Sequence, residues 1–285
     1  MSSFETRRFA GHGLTLAGDV GGPEDAPTVV LMHGGGQTRH SWAGTMDRLV
    51  AQGYHVVNLD ARGHGESDWA PDGNYRPSEQ ALDLKAVLSA LGRPVALVGA
   101  SMGGMTAFHA IGTSKEPIAD ALVMVDIVLR PAEAGAKRIA AFMRAYPDGF
   151  ATVEEAADAV SAYYPERPRP KDVGGLRKNL RLREDGRFRW HWDPRILDMG
   201  QRAEPPGPFE ALQLMAPNVT LPTLLVRGGK SDIVDDEGVA DMLRLVPQTE
   251  IFNVAGAGHM VAGDMNDPFS SGVIAFLQRH LPLEG

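Results

Sequence analysis

The chain has no cysteine among its 285 residues. Disulfides, thiolate metal sites and a cysteine nucleophile are therefore excluded. A basic excess is also missing: 28 Lys and Arg stand against 36 Asp and Glu, a formal net charge of −8. The one cation-rich stretch, Arg177 to Arg189, is broken by Glu184 and Asp185. Nucleic-acid binding has no electrostatic support in such a chain. No apolar run approaches the roughly 20 residues that span a bilayer. The opening Met1-Ser2-Ser3-Phe4-Glu5-Thr6 lacks the basic start and apolar run of a secretory signal, so a cytoplasmic location is expected.

What remains is the balance of an ordinary globular protein, 43% hydrophobic and 22% charged. Short apolar runs, each bounded by Gly, Pro or charged residues, predict buried strands at Thr28–Met32, His55–Leu59, Val95–Val98, Ala121–Val125, Thr223–Val226 and Glu250–Val254. Between them lie helical patterns at Ser41–Gln52, Ser78–Leu91, Met102–Ile111, Glu237–Leu245 and Pro268–His280. This alternation predicts an α/β fold with a doubly wound, mostly parallel sheet. An initial hairpin, Thr6–Phe9 with Leu14–Val20, turns through Gly11-His12-Gly13. From about Arg130 to Asn218 the rhythm breaks. Helical patterns near Pro131–Tyr146, Val153–Tyr163 and Lys171–Arg183 replace strands, and aromatics concentrate there. A structureless loop of that length is improbable in a compact domain. The stretch reads as a helical lid, 130–218, inserted into a core of 1–129 and 219–285.

The sharpest chemical signal is Gly99-Ala100-Ser101-Met102-Gly103, between a predicted strand and a predicted helix. That context is the one a serine nucleophile needs. The glycines permit a tight strand-to-helix turn that lifts the hydroxyl above the sheet, and the helix N-terminus favours negative charge nearby. His33-Gly34-Gly35-Gly36 follows the strand Thr28–Met32. Its backbone N–H groups, Gly35 first, together with that of Met102, are candidate donors to an oxyanion. His33 itself reads as structural. Among the other histidines, His259 sits in the small-residue loop Ala255-Gly256-Ala257-Gly258 after the last strand, where an imidazole can reach the serine. Chain order then asks for an acid between serine and histidine. Asp232 is the choice, with Asp126 as rival, and Asp235 and Asp236 behind them.

In their order, His33-Gly34-Gly35, Gly99 to Gly103, Gly228 to Asp232 and Gly258-His259 resemble the α/β-hydrolase superfamily, in the esterase- and lactonase-like branch with a cap after the sixth strand. A fifth segment, Asp60 to Ser67, is similar to a structural turn of that branch. The resemblance implies an eight-stranded core sheet and a Ser101–His259–Asp232 triad. It implies hydrolysis of a small or medium apolar carboxylic ester or lactone, with no cofactor or metal. A serine at the nucleophile position disfavours the epoxide hydrolase and dehalogenase chemistries of the fold, which use aspartate. Carbon–carbon hydrolysis of a diketone, perhydrolase or haloperoxidase-like activity, and a non-catalytic ligand receptor are the alternatives. Phe142, Tyr146, Trp190 and Trp192 are candidate substrate contacts in the lid. The expected partner is a small-molecule substrate, without nucleic acid or membrane, for a monomer or homodimer.

Overall fold

A computed structural model describes residues 4–91, 95–163, 169, 172–201, 206–258 and 266–283. The strands are β1 Glu5–Ala10, β2 Thr15–Gly21, β3 Thr28–Met32, β4 His55–Leu59, β5 Val95–Ala100, β6 Ala121–Val125, β7 Leu180–Leu182, β8 Phe188–Trp190, β9 Thr223–Gly228 and β10 Thr249–Val254. The α-helices are α1 Ala43–Gln52, α2 Pro77–Leu91, α3 Met102–Gly112, α4 Glu133–Arg144, α5 Val153–Tyr163, α6 Pro208–Met215, α7 Asp236–Leu245 and α8 Asn266–His280.

Eight strands form one sheet in the order β1-β2-β4-β3-β5-β6-β9-β10. The pairs β1–β2 and β2–β4 are antiparallel, and the rest are parallel. The Val-rich runs are buried on both faces because helices cover both. Alternate residues of β3 illustrate the period of two. Val30 and Met32 join the apolar layer that includes Leu84, Phe108 and Met242, whereas Val29 and Leu31 join the layer with Trp42, Phe269 and Phe276. Chain ends of the parallel strands all rise to one edge, so the loops after β3, β5, β6, β9 and β10 meet there. Such an edge, where crossovers diverge to opposite faces, is where open α/β sheets bind ligands.

The insertion between β6 and β9 differs in part from its all-helical expectation. The stretch predicted as a helix over 171–183 is instead a 3₁₀ turn at Gly174–Asn179 followed by β7, which pairs antiparallel with β8. Gly174 and Gly175 weaken an α-helix there. Gly186, at φ +77°, closes the hairpin in a conformation that favours glycine. A third apolar cluster, with Phe150, Leu180, Trp190 and Trp192, lies inside this insertion. One tie to the core is polar. Tyr75 donates its hydroxyl to buried Asp193 at 2.5 Å, Arg195 Nη2 meets the same carboxylate at 2.6 Å, and Arg195 Nη2 also donates to the Ala70 carbonyl at 2.9 Å. Among the described residues no helix is long and apolar enough to cross a membrane.

Candidate active site

β5 ends at Ala100 and α3 starts at Met102, so Ser101 alone makes the turn. Its backbone sits at φ +46°, ψ −110°. For a residue with a Cβ this costs on the order of 1–3 kcal/mol and persists only when the surroundings enforce it. They do so here. The Ser101 N–H donates to the Val125 carbonyl at 3.0 Å, and its own carbonyl accepts from the Met105 N–H at 3.0 Å. A Cβ on Gly99 would collide with the backbone of Gly103 and Gly104, and one on Gly103 with the Met32 carbonyl. These close approaches account for both glycines of the pentapeptide.

The glycine loop after β3 packs against this turn. A Cβ on Gly34 would stand 3.5 Å from the Ser101 Cβ. Two of the loop's N–H groups are already spent: that of Gly34 donates to Gln37 Oε1 at 3.0 Å and that of Gly36 to His64 Nε2 at 3.2 Å. The Gly35 N–H has no acceptor among the described residues. The first-turn N–H of Met102 lies directly after Ser101 at the start of α3.

The carboxylates separate by environment. Asp126 follows β6, is fully buried, and is at φ +48° the other described non-glycine residue with positive φ. Its Oδ1 accepts from the Gly228 N–H at 2.9 Å and its Oδ2 from the Ser231 hydroxyl at 2.6 Å. Ser231 Oγ accepts in turn from the N–H groups of Ile233 and Val234, both at 3.1 Å. Asp126 thus fastens the turn that carries Asp232. Asp232 is partly exposed, with Oδ2 paired to Arg138 of α4 at 3.1 Å. Its Oδ1 has no partner among the described residues. Asp235 caps α7 by accepting the Gly238 N–H at 2.7 Å, and Asp236 pairs with Arg227 at 2.5 Å. His259 lies outside the described residues. The loop leading to it is held against the same turn: the Lys230 N–H donates to the Ala257 carbonyl at 2.8 Å, and a Cβ on Gly228 would collide with the Gly258 carbonyl.

Above Ser101 a cavity of about 660 Å³ opens between the sheet edge and the insertion. Phe142, Trp190 and Trp192 line it, together with Met105, Ile139, Met143 and Val160. Trp190 and Trp192 stack at 5.1 Å with an interplanar angle of 11°. Tyr146 does not line it. The cavity-facing positions of α4 are Ile139, Phe142 and Met143, and the helix ends at Arg144, so Tyr146 turns away to pack, tilted, against Phe150 at 4.9 Å and is 39% exposed. Lys178 and Asn179 also line the cavity, and sequence reasoning missed both because they lie in the stretch misread as helix. Among the described residues no group of three or more potential metal ligands converges.

The edge of the sheet, the strained serine turn and the apolar cavity define a hydrolase-type site on an α/β scaffold. Residues 29–271 match the alpha/beta hydrolase family, and the chain belongs to it. It is 31% identical to Esterase Rv0045c of Mycobacterium tuberculosis over 251 residues, 84% of this chain and 78% of that protein. It is 29% identical to the mouse sn-1-specific diacylglycerol lipase ABHD11 over 276 residues, 90% of this chain and 82% of that protein. Among solved structures, E-2-(acetamidomethylene)succinate hydrolase superposes with a TM-score of 0.83 over 97% of this chain and 100% of that one, at 23% identity, a likeness of fold. A crystal structure of the Mycobacterium tuberculosis esterase gives 0.75 over 96% and 92%, at 28% identity.

Proposed function

We propose that this protein is a serine hydrolase that cleaves small or medium apolar carboxylic esters or lactones through an acyl-enzyme. The observation that carries the reading is Ser101, held in a strained turn at the floor of an apolar cavity beside a Gly35 N–H that meets no acceptor among the described residues. In this reading Ser101 Oγ attacks the carbonyl carbon while His259 takes its proton. The N–H groups of Gly35 and Met102 receive the oxyanion. Expulsion of the alcohol, protonated by His259, leaves the acyl-enzyme, which water then hydrolyses with His259 again as base. Asp232, whose Oδ1 has no partner among the described residues, orients His259. Asp126, the rival acid, also fastens the turn that carries Asp232. Residues 130–218 act as the cap that supplies the apolar wall. The esterase and lipase names of the two sequence relatives agree with an ester substrate.

Mass spectrometry after treatment with a fluorophosphonate tests the nucleophile. Labelling of Ser101, abolished in Ser101→Ala and in His259→Ala, is the expected result. An unlabelled Ser101 in folded protein overturns the reading. Release of product from a diketone, but from no ester or lactone, would overturn the substrate class.

A further inference from the structure

Beneath the glycine loop lie three imidazoles from three separate parts of the chain. His33 follows β3, His64 lies in the turn after β4, and His191 follows β8 in the insertion. Ring centroids are 5.1 Å apart for His33 and His64 and 5.7 Å for His64 and His191. All three are buried, at 1%, 1% and 2% exposure. Each ring faces one backbone donor and one backbone acceptor. The Ala61 N–H donates to His33 Nε2 at 3.0 Å, so the proton sits on Nδ1 and donates to the Gly34 carbonyl at 2.8 Å. The Gly36 N–H donates to His64 Nε2 at 3.2 Å, and His64 Nδ1 donates to the Arg62 carbonyl at 3.1 Å. The Gly65 N–H donates to His191 Nδ1 at 2.7 Å, and His191 Nε2 turns its proton to the Gly36 carbonyl at 3.4 Å. A backbone N–H only donates and a carbonyl only accepts, so each neutral ring has a single tautomer here. A charged ring would point a proton at an N–H. Burial foremost, and the neighbouring rings after it, push His64 and His191 below their ordinary range.

The loop's polar groups on either side of Gly35 are therefore held: the Gly34 carbonyl by His33, the Gly36 N–H by His64 and the Gly36 carbonyl by His191. Among the described residues the Gly35 N–H meets no acceptor. We propose that His64 and His191 are positioning residues that hold Gly36 so that the Gly35 N–H faces the oxyanion formed at Ser101. The insertion thereby contributes to the rate as well as to the walls of the cavity. The proposal rests on the serine-hydrolase reading for its effect on rate.

The test uses two substitutions at His191 in the full chain. In His191→Asn the side-chain oxygen can still accept the Gly65 N–H, but nothing reaches the Gly36 carbonyl. In His191→Gln an amide N–H can take the place of Nε2. Loss of an entire oxyanion donor lowers kcat by about 10²–10³, so a misaligned one should lower it by roughly tenfold. His191→Asn is expected to lose about that much kcat per fluorophosphonate-titratable Ser101, with KM within about twofold, and His191→Gln to recover most of it. Unchanged kcat in His191→Asn, or equal losses in both variants, overturns the proposal. A separate readout does not depend on turnover: ¹⁵N spectra of the histidines at neutral pH should show His64 protonated at Nδ1 and His191 at Nε2. Any other tautomer, or a charged ring, overturns the clamp even if Ser101 labels. An unlabelled Ser101 beside the expected tautomers would instead overturn the serine reading and the rate role with it.

Discussion

Mild acid should weaken this fold well before its carboxylates titrate. In the unfolded chain a histidine takes up a proton as pH falls below 6.5, whereas burial first, then the neighbouring His33, pushes folded His64 down to about 3. Acid thus favours the unfolded state: the stability is fully present above pH 6.5 and drains as pH falls toward 3. Each pH unit in that window is worth about 1.36 kcal/mol per ring, so descending from pH 7 to pH 5 costs about 2 kcal/mol through His64 alone. His33 and His191, lowered mainly by burial, add to the loss with the same sign, and half-buried His40 and His109 do likewise. Asp60 acts elsewhere. Burial opposes its charge, but the N–H groups of Arg39 and Glu66 and the Arg39 guanidinium outweigh it, so its contribution is lost only below its ordinary value of 3.8. Urea unfolding at pH 7 and pH 5 measures the difference. In a protein near this size 1 kcal/mol moves Tm by about 2 °C, so His64 by itself should account for roughly 4 °C. His64→Gln should lose about 2 kcal/mol less between the two pH values than the unsubstituted chain. Equal stability at both pH values, or the same loss in His64→Gln, would refute the argument.

The two carboxylates should fail differently. Asp232→Asn is expected to lower kcat by about 10³–10⁴ with Tm nearly unchanged, by analogy with removing a triad acid, and the reverse pattern at Asp126 would exchange their roles. Asp126→Asn should instead cost about 1–3 kcal/mol of stability, because the amide keeps one acceptor for the Gly228 N–H but turns a donor toward the Ser231 hydroxyl that gave to Oδ2; thermal unfolding checks it. Gly103→Ala forces a methyl into the Met32 carbonyl and should destabilise by about 1–3 kcal/mol or more with lost labelling of Ser101, whereas wild-type labelling would show that the turn relaxes. Lys178 lines the cavity and no carboxylate of the described residues does, so esters with a carboxylate-ended acyl chain should outpace ammonium-ended analogues. Lys178→Met should narrow that gap in kcat/KM, and an unchanged ratio would dismiss the lysine.

The sheet was legible because its strands are short, apolar and sharply bounded. Thr28–Met32, His55–Leu59 and Ala121–Val125 match their predicted limits to the residue. The turn at Ser101 was equally legible, since only glycine tolerates the approaches at positions 99 and 103. The hairpin β7–β8 was not. Its three-residue strands are too short to show a period, and cations there resemble a solvated helix face. Tyr146 was misplaced because helical spacing continues past a helix that has already ended. His191 left no local signal at all. Its partners, Gly36 and Gly65, lie 155 and 126 residues away, and only the folded chain brings them together.

Trp190, His191 and Trp192 are consecutive, and their side chains alternate: both indoles face the cavity while the imidazole between them turns to Gly36 and Gly65. If the proposed roles hold, selectivity and speed are written into one tripeptide. An engineer who exchanges the insertion for that of a relative, seeking a new preference, would also exchange the support of the oxyanion loop. Chimeras of this enzyme should be slow until a histidine is restored at the middle position, whatever substrate their new walls admit.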